Sequence, residues 1–179
     1  MSDIACIKGH MYFGLHQYLN EPSRYITFIR NPVKRVISLY RYLRQSTHHK
    51  QHTLAANKSL AEFVVDCSLH NNGQTRFLAG GKLLDSPELL LARAQENLHN
   101  HFTVVGLTER FDESLVLFKQ HLNWANFPTY TQENVSDKGK SNMVDGKTLA
   151  LIEKYNAADI LLYQYAETLF EQQIQQFCG

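Results

Sequence analysis

The sequence is poor in cysteine, in proline and in long apolar runs, and over one long block it has no acidic residue at all. Its three cysteines, Cys6, Cys67 and Cys178, stand far apart and are odd in number. No C-x-x-C occurs, so neither a disulfide framework nor a zinc site is indicated. Reduced thiols in a cytoplasmic protein are the expectation. No apolar run approaches the roughly 18 residues that span a bilayer. The opening MSDIACIKGH lacks the apolar centre of a signal peptide. Two of the four prolines, Pro32 and Pro87, each follow a capping residue, Asn31 and Ser86, and so mark helix starts. Acids are missing from 22 to 61, where Arg24, Arg30, Lys34, Arg35, Arg41, Arg44, Lys50 and Lys58 lie. The remainder of the chain is net acidic, so the overall charge is only +1. A one-signed block of this kind either focuses an anion-attracting field or is a solvated basic face. Low overall basicity and the absence of stacking motifs argue against nucleic acid.

What is present fits one domain over 1–179, with 44% apolar and 20% charged residues. The chain is organised around 25–44, YITFIRNPVKRVISLYRYLR. Residues 25–29 are β-branched and aromatic, the composition of a strand. Asn31 can cap a helix and Pro32 suits its first turn. Apolar residues at 33, 36, 37, 39, 40 and 43 then repeat with the period of a helix. This order puts Arg30 at the carboxyl end of a strand, where open α/β sheets bind ligands. Arg30 and Ser38 can converge on one anion, through the guanidinium fork and the positive end of the helix. A local carboxylate pairing with Arg30 is the alternative, weakened by the lack of nearby acids in sequence.

Elsewhere the pattern is coarser. Residues 45–58 read as an exposed polar loop. Ser59 with Glu62 is a capping box opening a helix to about 67. Residues 74–78 read as a short helix ended by Gly80 and Gly81, and Ser86-Pro87 opens a helix to about 98. Residues 102–107 read as a second strand and 111–122 as the helix after it. Residues 125–148 are irregular. Residues 147–177 are helix-rich, with Ile160, Leu161, Tyr163, Leu169 and Phe170 expected to pack on the body. The fold class is therefore α/β with an unusually small sheet. His48, His49 and His52 form no four-ligand metal set. With Arg41, Arg44 and Lys50 they read better as a basic rim for a polyanion.

R-N-P-V-K-R-V-I-S-L-Y-R-Y at 30–42 resembles the R-D-P-x-x-R-x-x-S-x-Y-x-Y signature of carbohydrate sulfotransferases, the group that includes heparan sulfate 2-O-sulfotransferases. Asn31 stands where that family usually has Asp. The resemblance continues through Gly9-His10, through Asn72-x-x-Thr75-Arg76-Phe77-Leu78-x-Gly80, and through Val105-Gly106-Leu107-Thr108-Glu109-Arg110-Phe111. It implies a P-loop-nucleotide-hydrolase-like sulfotransferase fold, with a small parallel sheet flanked by helices. It also implies a donor, 3′-phosphoadenosine 5′-phosphosulfate, and a carbohydrate acceptor; no metal is needed. By the same resemblance Arg30 and Ser38 hold the 3′-phosphate of the donor. Lys138, Gly139 and Lys140 sit where the family carries a basic loop over the donor, and His10 is the general base. Lys8, where many 2-O-type relatives have a first histidine, His16, Arg41 and Arg44 fall on the side of an acceptor that the basic rim suggests is anionic.

One element of the family has no counterpart in the sequence. The strand and Lys-rich Gly-Ser/Thr loop that cradle a 5′-phosphosulfate match nothing here. The expectation is an N-terminally incomplete sulfotransferase-like domain, its activity in doubt. A non-catalytic module binding a 3′-phosphonucleotide or an anionic glycan is the alternative. A sheet edge left open by a missing strand would suit a second copy of the chain, so a homodimer is expected.

Overall fold

The structure is a computed structural model and describes residues 6–67, 70–81, 85–131 and 144–178. Its centre is a two-stranded parallel sheet of β1 (Tyr25–Ile29) and β2 (Phe102–Leu107), which sets the fold as α/β. The register runs Ile26 opposite Val104 to Ile29 opposite Leu107, with an irregularity between Tyr25 and Ile26. Parallel neighbours need a long crossover. Here it contains α1 (Pro32–Gln45), α2 (His52–Ala56), α3 (Leu60–Asp66), α4 (Gly73–Leu78) and α5 (Pro87–His101). After β2 come a short 3₁₀ turn (Thr108–Arg110), α6 (Phe111–His121), α7 (Gly146–Tyr155) and α8 (Ala157–Cys178).

Local chemistry sets the helix starts. The Asn31 side chain accepts from the Lys34 N–H, with Pro32 in the first turn of α1. Ser59 and Glu62 form the reciprocal capping box of α3. Ser86 accepts from the Leu89 N–H and Pro87 opens α5. Gly80 and Gly81, with φ of +86° and +80°, turn the chain out of α4. At Gly106 the sheet meets α6 so closely that a Cβ would lie 2.9 Å from Cβ of Ser114. That approach lets the buried Ser114 Oγ accept from the Leu107 N–H at 2.9 Å.

Two apolar clusters result. One gathers Ile29, Val104, Val105 and Leu107 of the sheet with Ala94 and Leu98 of α5, Leu115 and Phe118 of α6, and Leu162, Ala166 and Phe170 of α8. The other gathers Val36, Tyr40 and Leu43 of α1 with Ala55, Phe63, Val64 and Ile152 of α2, α3 and α7. Polar contacts at the head of α8 join them, as described below.

Several expectations need correction. Residues 45–58 are not all loop. They hold α2, whose Ala55 is fully buried, and the His52 ring nitrogen sits 2.7 Å from the Leu43 carbonyl oxygen. The helix from Pro87 runs to His101, about one turn further than the sequence pattern indicates. The segment 147–177 is helix-rich as expected, in two helices that meet at Asn156, the C-cap of α7. Within α8 it is Leu162, not Leu161, that faces the core; Leu161 is half exposed.

Candidate functional site

A broad cleft of about 1520 Å³ opens beside the carboxyl end of β1. Its walls come from β1, α1, α4, the starts of α3 and α7, and the segment Gly9 to Met11. His10, Arg30, Ser38, Arg41 and Arg44, five of the residues singled out from the sequence, line it together.

Arg30 leaves β1 with its backbone fixed. Its N–H donates to Gln74 Oε1 at 2.9 Å, and its carbonyl accepts from Gln74 Nε2 at 2.9 Å. Its guanidinium has no hydrogen bond or ion pair to a described residue. The carboxylate that reaches the turn is held by groups other than the Arg30 guanidinium. Glu109, at the carboxyl end of β2, accepts from the Asn31 N–H at 3.2 Å, lies 4.0 Å from Lys34 Nζ, and accepts from Tyr163 Oη at 3.3 Å. The local pairing that would have neutralised Arg30 is therefore absent among the described residues, and the acid reaches the turn from 78 positions away.

Beneath the cleft floor Asp159 is fully buried. It accepts from the Thr75 N–H at 2.7 Å, from Thr75 Oγ1 at 2.8 Å and from the Gln74 N–H at 3.2 Å. Arg35 of α1 donates to it at 3.4 Å and to the His70 carbonyl at 2.7 Å. Burial lowers the Arg35 pKa, Asp159 raises it, and the neighbouring Arg76 and Arg30 charges lower it again. Gly73 lets the guanidinium in: a Cβ there would stand 3.1 Å from Arg35 Nη2. The Nε of Arg35 is buried without a partner. Asn156 Oδ1 accepts from the Asn72 N–H at 3.1 Å, and Asn72 Oδ1 accepts from the Asp159 N–H at 3.1 Å. Arg35 thus feels the charges of Arg30 and Arg76, with the buried Asp159 carboxylate opposing them.

Arg30, at the end of a parallel strand with no described carboxylate on its guanidinium, suits an anion. The residues fit the phosphate of a nucleotide donor on that ground. Ser38, one turn beyond Arg35 on the same helix, lines the cleft with its hydroxyl unpaired among the described residues. Arg44 is steadied by Tyr40, whose oxygen accepts from Arg44 Nη1 at 3.0 Å and donates to the Lys58 carbonyl at 2.6 Å. His10 is exposed on the rim, 6.4 Å from the Phe77 ring.

Other predicted residues fall elsewhere. His16 does not line the cleft. Its ring packs on Phe13 and stacks on His101, and its Nδ1 is 2.9 Å from Tyr25 Oη. That is a packing position, outside the cleft lining. Lys8 is exposed and outside the lining. Lys138, Gly139 and Lys140 lie outside the described residues. Of the histidines near 50, His49 Nδ1 accepts from the Gln51 N–H at 3.1 Å, and no metal-binding group of His, Cys, Asp or Glu occurs among the described residues. Gln74, Glu109 and Asp159 carry the architecture of the site and had no role assigned from sequence. Gln74 and Glu109 fall inside the two segments that resemble the sulfotransferases, which was the available signal; Asp159 had none.

A family model described as galactose-3-O-sulfotransferase matches residues 3–179. The chain belongs to this carbohydrate sulfotransferase family. Heparan-sulfate 6-O-sulfotransferase 2 of Gallus gallus is 32% identical over 190 residues, covering 86% of this chain and 46% of the relative. Heparan-sulfate 6-O-sulfotransferase 1 of Homo sapiens is 31% identical over 205 residues, covering 95% and 49%. Heparan-sulfate 6-O-sulfotransferase 3 of Mus musculus is 30% identical over 181 residues, covering 83% and 38%. The chain thus spans about half or less of the length of these curated relatives. They are 6-O rather than 2-O enzymes by name, so the resemblance holds at the level of carbohydrate sulfotransferases and not of the 2-O group.

Proposed function

We propose that this chain binds 3′-phosphoadenosine 5′-phosphosulfate and supports transfer of its sulfuryl group to a carbohydrate hydroxyl. The observation that carries the reading is Arg30: a guanidinium without a described partner, on a backbone clamped at both polar groups, in the same cleft as Ser38 and His10. Arg30 and Ser38 take the 3′-phosphate, the first through a charge-assisted fork and the second through its hydroxyl. The donor supplies the sulfuryl group and a nucleotide phosphate as leaving group. His10 takes the proton from the acceptor hydroxyl as its oxygen bonds to sulfur and the bridging bond to the 5′-phosphate breaks. Arg41 and Arg44, on the same wall, face the acceptor and favour an anionic glycan. The heparan-sulfate acceptors in the names of the relatives support that choice.

The test is transfer of labelled sulfate from the donor to a heparan-type oligosaccharide. Transfer that His10→Ala lowers by about 10²-fold or more, with donor affinity unchanged, is the expected result for a general base. Donor binding without any transfer would leave a binding module and remove the enzymatic reading.

A further inference from the structure

Within a strand, the N–H and C=O of one residue point to the same side, toward the neighbouring strand. At Arg30 β1 has just ended, and no strand meets those two groups. The primary amide of Gln74 meets both instead, its oxygen accepting from the Arg30 N–H and its nitrogen donating to the Arg30 carbonyl, each at 2.9 Å. One side chain thus replaces a ladder partner at the residue whose guanidinium faces the cleft. Among side chains in their ordinary neutral-pH states, a carboxamide is the one that offers an acceptor and a donor side by side in this way.

Gln74 is itself held. Its own N–H and that of Thr75 donate to the buried Asp159 carboxylate, which Arg35 of α1 also reaches. A closed circuit results: Arg30 at the end of β1, Gln74 on α4, Asp159 on α8, Arg35 on α1, and the chain back from Arg35 to Arg30. Gln74 is anchored through both its side-chain amide and its backbone N–H, and Asp159 also accepts from Thr75 and Arg35, so the Arg30 backbone has little freedom to turn. We infer that Gln74 is a positioning residue for anion binding by Arg30, acting through the Arg30 backbone and not by touching the ligand. This rests on the donor-site reading above.

The experiment is calorimetric titration of four proteins, the wild type, Gln74→Met, Arg30→Ala and the double variant. The ligands are adenosine 3′,5′-bisphosphate and adenosine 5′-monophosphate. Methionine keeps the length of the side chain and removes both hydrogen bonds. The expected result is about tenfold weaker binding of the bisphosphate in Gln74→Met, the scale of two lost hydrogen bonds. Binding of the monophosphate stays unchanged, and no further loss appears when Gln74→Met is added to Arg30→Ala. Wild-type affinity in Gln74→Met overturns the inference, and so does a loss that persists in the Arg30→Ala background. Wild-type affinity in Arg30→Ala overturns the donor-site reading instead, so the two failures are distinct. Should Gln74→Met not fold, Gln74→Leu carries the same four-way comparison.

Discussion

Glu109 shows at the residue scale why sequence distance misleads about charge. The basic block contains no acid, yet Glu109 arrives from β2 and binds the Asn31 N–H. The carboxylate goes to the helix start, where the free N–H groups and the positive end of the dipole favour it, and the Arg30 guanidinium is left without a described partner. The position of Arg30, at the carboxyl end of β1 and before α1, was legible because strand, break and helix are each written in adjacent residues. The roles of Glu109, Gln74 and Asp159 were not, since even their partners nearest in sequence lie 54, 44 and 84 positions away. His70 carries a residue-scale prediction. Burial, with the charges of Arg35, Arg76 and His49, holds its pKa below the ordinary 6.5. Its ring stacks on Phe63, and its Nε2 is buried without a partner. As pH falls, the unfolded chain therefore takes up this proton before the folded chain does. Stability from the neutral ring is complete above 6.5 and is lost as pH drops through the lower folded value. Thermal melts from pH 7.5 downward, an interval chosen to bracket the ordinary histidine range, should show the midpoint falling below about 6.5 and a flatter profile in His70→Gln. Identical profiles for the two proteins would contradict this.

At the element scale α4 is the exposed case. Six residues cannot hold a helix on their own hydrogen bonds. Asn72 before it has φ of +50° and provides no side-chain cap. The cap comes from α8, where the Asp159 carboxylate takes the first N–H groups. Replacing Asp159 by Ala leaves the Arg35 charge and those N–H groups without it. The expected loss is about 3–5 kcal/mol of stability, measured by urea unfolding. Asp159→Asn keeps the shape and an acceptor, and is expected to lose less. A loss within about 0.5 kcal/mol for Asp159→Ala, the range of an ordinary surface change, would show that the circuit is not structural. Elements with their own signals were legible: β1, α1 and β2 from composition and period, α3 and α5 from Ser59-x-x-Glu62 and Ser86-Pro87. α2 was hidden because its five residues contribute one fully buried side chain, Ala55, within a polar run. The break between α7 and α8 was hidden because Asn156 is an asparagine in an otherwise helical pattern, and its side chain is used 84 positions away.

Over the whole molecule, the two apolar clusters make two walls and the cleft lies along their seam. β1 belongs to one cluster and α1 to the other, so the motif that joins them in thirteen residues also spans the seam. The Arg35–Asp159 pair and the Asn72–Asn156 contact tie the walls together below the cleft. The α/β class was legible from the order of strand and helix patterns, and the parallel sheet from the family resemblance. The seam was not, because it depends on which face of α8 turns inward. The central claim is that this seam carries an anion site centred on Arg30. Calorimetric titration of adenosine 3′,5′-bisphosphate into wild type and Arg30→Ala tests it most directly. The account predicts saturable binding by the wild type and a loss of about 10²-fold in the variant, the scale of a charge-assisted pair. Equal affinities, or no binding by the wild type, would contradict it.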